Sequence, residues 1–103
     1  MSVILINPFE VPEGVDDEDF LRGWEHAADY MRRQPGFVRS HLHRALRPDA
    51  RFRFVNIAEW ASPGDFQTAV GTEEFRELAS GSAPGSPSLY EVVRGIGPAS
   101  DGI

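Results

Sequence analysis

The segment RFRFVNIAEW, residues 51–60, sets Phe52, Phe54, Asn56, Ala58 and Trp60 at alternate positions. In a strand all five project from one face. The aromatics could hold a flat ring. The Asn56 amide offers a donor and an acceptor, and the Trp60 indole offers a donor. Both can bond carbonyl or phenol oxygens, and Trp60 can also stack. A buried Asn must be paired, so Asn56 is either a ligand contact or a partner for nearby backbone. Trp60, at the end of its run, also suits a plain core. Asn7 precedes Pro8 and could meet a ligand or satisfy backbone at a strand end. Arg76 could stabilise an oxyanion, or could be a solvated helix residue following two Glu.

Two histidines are the other candidates. His41 and His43 stand two apart in FVRSHLHRAL and in a regular strand share a face with Phe37, Arg39 and Ala45. With no third ligand evident, no metal site is expected. One of them could serve as a general base near neutral pH, and His41 is placed with the ligand-binding set. A subunit interface or solvent would also suit the pair. His26 has Arg22 and Tyr30 four residues away and reads as peripheral.

The elements that must position these residues follow from the pattern. VILINPFEV, residues 3–11, predicts a strand of about five residues ended or bent by Pro8. Residues 16–34 predict a helix capped by Asp16 or Asp17, with Phe20, Trp24, Ala27, Ala28 and Met31 at helical spacing and Pro35-Gly36 as its stop. Residues 37–46 and 52–60 predict a hairpin. Ser62-Pro63 opens a second helix, which Gly71-Thr72 kinks or divides. A loop over 80–88 leads to a last strand, 89–94. The order β-α-β-β-α-β is that of the ferredoxin-like α+β fold: an antiparallel four-stranded sheet with two helices on one face. A single domain over 1–94 and a flexible tail over 95–103 are expected. If the Asn56 face looks toward the helices, it lines a pocket with Trp24, Met31 and Phe66. Val55 and Ile57 then lie on the opposite face, and a homodimer would bury them.

Composition narrows the function. The chain of 103 residues has 41% hydrophobic residues, 11 aromatics and no cysteine. Disulfides, cysteine metal sites and cysteine nucleophiles are excluded. A net charge of −6 disfavours nucleic acid as a partner. No apolar run approaches the roughly 18 residues a membrane span needs, and the N-terminus lacks the basic residues of a signal peptide. A cytoplasmic location is expected. No phosphate-binding glycine motif and no serine elbow occurs.

The element order, PGF at 35–37, NIAEW at 56–60, Ser62, Phe66 and EFREL at 74–78 together resemble the antibiotic biosynthesis monooxygenase superfamily of dimeric α/β barrels. The resemblance covers roughly residues 3–94. It implies a small-molecule activity, and two branches can be compared by residue. The actinorhodin-type anthrone monooxygenases have an Asn four residues before a Trp, as Asn56 and Trp60 stand here. They carry a Tyr six residues after that Trp, where this chain has Phe66. They also use an Arg on the second helix, which Arg76 matches only across a gap of about four residues. The staphylococcal-type heme-degrading branch has an Asn on the first strand, matched by Asn7. Its Trp and its heme-ligating His fall on Ala69 and Ala79.

The resemblance therefore implies a cofactor-independent monooxygenase acting with O₂ on an anthrone- or hydroquinone-like substrate and yielding a quinone. Asn56, Trp60 and Arg76 would be catalytic. Asn7, Trp24, Phe52, Phe54, Phe66 and His41 would bind substrate, and neither metal nor heme is expected. A cyclase, an isomerase or a non-catalytic binder of the same fold is the alternative. A divergent heme protein is the third reading.

Overall fold

A computed structural model describes residues 2–80 and 83–99. Four strands and three helices follow in the order β1 (Val3–Phe9), α1 (Asp17–Met31), β2 (Phe37–Arg44), β3 (Phe54–Trp60), α2 (Pro63–Val70), α3 (Glu73–Ser80) and β4 (Ser88–Tyr90). The sheet is antiparallel, with spatial order β2-β3-β1-β4. The ferredoxin-like α+β arrangement expected from the sequence is therefore present, with its second helix divided into α2 and α3.

Each helix begins where its cap chemistry dictates. The Asp16 carboxylate accepts from the Asp19 N–H at 2.8 Å, and three acidic residues fill the first turn of α1, where they suit the helix dipole. Ser62 Oγ accepts from the Asp65 N–H at 3.1 Å and donates to the Asp65 carboxylate at 3.0 Å. Pro63 occupies the first turn of α2, where its missing N–H costs nothing. At the α2/α3 break, Thr72 Oγ1 accepts from the Phe75 N–H at 3.1 Å. The hydroxyl of buried Tyr30 donates to the Ala69 carbonyl at 2.7 Å and lies 2.6 Å from Thr72 Oγ1. Tyr30, which looks like an ordinary boundary aromatic in the sequence, thus ties α1 to the helix break.

Gly36 is needed where it stands. Its φ is +86°, and a Cβ there would overlap the Asp65 carboxyl group. Its carbonyl accepts from the Ala61 N–H at 2.7 Å. The turn before β2 and the start of α2 therefore form one packed corner, which relates PGF to the Ser62 cap.

Several boundaries differ from the sequence expectation. β3 starts at Phe54, so Phe52 lies before the strand. β4 ends at Tyr90, opposite Ile4; β1 extends one residue past that point, to Val3, so residues 92–94 have no ladder to join. The expected tail falls partly on residues 100–103, which lie outside the described residues. A register shift interrupts β2: Phe37 pairs with Trp60, but Arg39 pairs with Glu59. Val38 is the extra residue of this bulge, and inward-outward parity reverses beyond it. Ser40 and Leu42 consequently share the face of Ala58 and Asn56, while Arg39, His41 and His43 share the face of Glu59, Ile57 and Val55.

The core lies between the sheet and the helices, around Val3, Leu5, Ala58, Trp60 and Ala69. The other sheet face carries Ile4, Ile6, Val55 and Ile57 without a covering layer, and Ile57 is 38% exposed. Outside the core, Arg53 clamps α1 to the sheet. It donates to the Asp17 carboxylate at 2.8 and 3.3 Å and to the Ala45 carbonyl at 3.2 Å. Arg44 stands 3.6 Å from the same carboxylate. The hydrogen bond from Arg53, with the added charge of Arg44, holds the Asp17 carboxyl below the usual aspartate range.

Candidate functional site

A cavity of about 830 Å³ separates the sheet from the helices. Its floor is built by the β1/β3 ladder, whose helix-facing rows run Phe9/Phe54, Asn7/Asn56, Leu5/Ala58 and Val3/Trp60. Trp24, Ala27, Ala28 and Met31 of α1 form one wall, and Phe66, Val70, Phe75 and Ala79 of α2 and α3 the other. The hollow exists because small residues face it from both sides. Ala58 is the floor's smallest side chain, and Gly23 on α1 would have nothing within 4 Å of an added Cβ.

Aromatic clusters stand at both ends. Phe20 stacks on Phe54 with centroids 4.3 Å apart and meets Phe9 edge-on at 5.1 Å. At the other end Trp60 takes Phe37 and Phe66 edge-to-face, at 5.4 and 5.6 Å. Such contacts stabilise by about 0.5–1.5 kcal/mol each beyond area burial, so the ends are packed while the middle stays open.

The middle of the floor is polar. Asn7 and Asn56 are directly opposite in register, and both line the cavity. Ser40 Oγ donates to Asn56 Oδ1 at 2.6 Å. The Asn56 amide nitrogen has no protein acceptor among the described residues. Asn7 Oδ1 and Trp60 Nε1 are buried without any hydrogen-bond partner. An orphaned buried polar atom costs about 1–3 kcal/mol, so each marks a spot that is not optimised packing, one at the polar middle of the floor and one at its aromatic end. Asn7 Oδ1 lies beneath the segment at 84–86, where a Cβ on Gly85 would come within 2.6 Å of it. That segment is held on β1 by hydrogen bonds from the Glu10 N–H to Pro84 and from the Ser86 N–H to Pro8.

The structure separates the sequence candidates. Asn7, Trp24, Asn56, Trp60 and Phe66 come together around the cavity. Trp60 contributes ring surface only: it is 1% exposed, and its N–H is enclosed. Phe54 does not line the cavity, because it is consumed by its stack on Phe20. Phe52 lies before the strand under the Arg51 guanidinium, 5.0 Å from its ring centre. His41 faces the opposite side of the sheet, turned there by the bulge. Arg76 is exposed on α3 and donates to the Gly71 carbonyl at 3.0 Å, away from the cavity. Ser40 was not a sequence candidate; regular alternation through β2 would have put it on the other face.

Among the described residues, Asp19 is the one ionisable side chain on the cavity wall, at its rim. It is more than half exposed and paired with Arg22. The lining contains no His, Cys or Tyr, three of the side chains that hold a heme iron. No group of three His, Cys, Asp or Glu able to hold a metal occurs among the described residues, and no helix among them is long and apolar enough to cross a membrane.

The fold is shared with solved structures. The chain superposes on a crystal structure from Shewanella loihica PV-4 with a provisional monooxygenase designation: TM-score 0.79, 35% identity, covering 91% of this chain and 96% of that one. SnoaB, a cofactor-independent oxygenase from Streptomyces nogalater, gives a TM-score of 0.79 at 26% identity, covering 92% and 96%. A heme-degrading protein from Mycobacterium tuberculosis gives 0.66 at 27% identity, covering 94% and 100%. No curated protein matches. Residues 2–80 match the antibiotic biosynthesis monooxygenase family, and the chain belongs to that family.

Proposed function

We propose that this protein is a cofactor-independent monooxygenase that oxidises an anthrone- or hydroquinone-like aromatic substrate to a quinone. The observation that carries this reading is the pairing of an aromatic-walled cavity with a floor of uncharged amides. Such a site holds fused rings and hydrogen-bonds their oxygens, while supplying no strong acid, base or metal ligand. The likeness to SnoaB supports the same chemistry.

For an anthrone the reaction balances as follows. The ring methylene loses a proton to solvent water as the substrate enters, and the delocalised anion gives an electron to O₂. Recombination forms a C–O bond at that carbon. Loss of water then leaves a carbonyl, so one oxygen atom of O₂ is incorporated and the other leaves in water. The residues act on the anion. The Asn56 amide N–H stabilises the developing oxyanion, and a preorganised donor of this kind is worth about 100-fold or more in rate. The apolar walls keep water from the radical pair, and Trp24 and Phe66 hold the rings in place.

Oxygen uptake with 1,8-dihydroxyanthrone in chelator-treated buffer tests this. Consumption well above the protein-free rate, with one O₂ per quinone formed, is expected. A rate equal to the protein-free control refutes the reading and favours a cyclase, isomerase or binding role in the same cavity. Titration with hemin is expected to give no Soret shift. We further propose that the apolar sheet face around Ile57 is covered by a second copy of the chain.

A further inference from the structure

We propose that Ser40 is a positioning residue that fixes the orientation of the Asn56 amide; its consequence for rate rests on the oxygenase reading above. A free Asn amide can present either its oxygen or its nitrogen, because the two ends differ little in shape. Here the choice is made by Ser40. Its hydroxyl lies 2.6 Å from Asn56 Oδ1, the spacing of an O–H···O hydrogen bond and shorter than the usual N–H···O distance. With the oxygen engaged, the NH₂ is the end left for a ligand. The floor at this point is therefore a donor, best suited to a carbonyl or an oxyanion.

The backbone is arranged for this contact. Without the extra residue at Val38, regular alternation would turn Ser40 to the other face of the sheet and bring Arg39 and His41 to the cavity face instead. The bulge brings Ser40 inward next to Ala58, one row from Asn56, and the small Ala58 leaves room for the diagonal contact. In Ser40→Ala the Asn56 oxygen loses its partner, and the amide is free to turn its acceptor toward the ligand, where it would repel an oxyanion.

The test uses two readouts on wild type, Ser40→Ala, Ser40→Thr, Asn56→Ala and Ser40→Ala/Asn56→Ala. The first is the ¹⁵N-resolved side-chain NH₂ pair of Asn56, assigned by its loss in Asn56→Ala. It is expected to shift and broaden in Ser40→Ala and to stay near the wild-type position in Ser40→Thr. An Asn56 pair unchanged by Ser40→Ala overturns the proposal whether or not the protein oxidises anything. The second is turnover of 1,8-dihydroxyanthrone. Ser40→Ala is expected to lower kcat 10- to 100-fold with KM changed less than threefold, Ser40→Thr to restore most of it, and the double variant to be no slower than Asn56→Ala. Normal kcat in Ser40→Ala, or multiplied losses in the double variant, overturns the positioning role while leaving the oxygenase intact. Absence of wild-type turnover refutes the oxygenase alone, and the NMR result still decides the role of Ser40.

Discussion

Asn7 and Asn56 face one another across the β1/β3 ladder, forming the polar row between Phe9/Phe54 and Leu5/Ala58. Two amides directly opposite on a buried sheet face would ordinarily be a poor choice against apolar residues. Here they border an open volume, and the Asn7 oxygen is left without a partner. Asn56→Ala should therefore reduce oxygenation about 100-fold while the thermal midpoint stays within a few degrees of wild type. Circular dichroism melts run beside oxygen uptake separate the two effects.

Trp60 differs from Asn56, because its ring is core and its N–H is an enclosed orphan. Trp60→Phe gives up apolar surface but also removes the unsatisfied donor, a term of about 1–3 kcal/mol. Denaturant unfolding should show a net change below about 1.5 kcal/mol for this variant. Trp60→Ala should lose about 3–5 kcal/mol. A loss of that size in Trp60→Phe would show that the indole N–H has an acceptor in solution.

The cavity roof can be tuned at Gly23. A Cβ there meets open space, and glycine within a helix costs about 1 kcal/mol relative to alanine. Gly23→Ala should raise stability by about 0.5–1 kcal/mol. Gly23→Phe should instead fill the hollow and abolish binding of an aromatic ligand, measurable by quenching of tryptophan fluorescence.

His41 offers a negative control. It lies across the sheet from the cavity, beside Ile57. His41→Ala should leave turnover within about twofold of wild type, since a group that touches no reacting atom supplies none of the 10²–10⁴-fold typical of acid–base catalysis. A larger loss would restore it as a base.

The Asp17–Arg53 clamp makes a pH prediction whose sign is fixed. The Arg53 hydrogen bond, first of all, holds the Asp17 carboxyl below the usual aspartate range. Its contribution is therefore present above about pH 4–5 and is lost as pH falls through the lowered value. Asp17→Asn should lower the melting temperature at neutral pH, with the gap to wild type closing on acidification below pH 4. A gap that persists at low pH would mean that the carboxylate charge is irrelevant to the clamp.

How far the sequence carried these conclusions depended on where local pattern equals local structure. The Ser62 cap, the stop at Pro35-Gly36 and the alternation from Phe54 to Trp60 are encoded within a few residues of where they act, and each was legible; the first helix's cap was legible as Asp16 or Asp17. So was the convergence of Asn56 with Trp24 and Phe66, which needs only the fold and the parity of β3. The bulge at Val38 was not legible, because it is set by how β2 meets β3 and leaves no composition signal. That one residue moves His41 out of the cavity and Ser40 in. Phe54 looked like a ligand contact because alternation cannot tell a ring that faces space from one that Phe20 already covers. Arg76 was misplaced because an exposed helix position and a pocket position can share the same sequence context.

The most direct measurement is a crystal structure of the protein with 1,8-dihydroxyanthraquinone, the product of the proposed reaction. The rings should lie between Trp24 and Phe66 over Ala58, with a quinone oxygen within about 3 Å of the Asn56 amide nitrogen and Ser40 still bonded to its oxygen. A quinone seated on the outer sheet face, or a cavity closed by collapsed side chains, would contradict this assignment of the site.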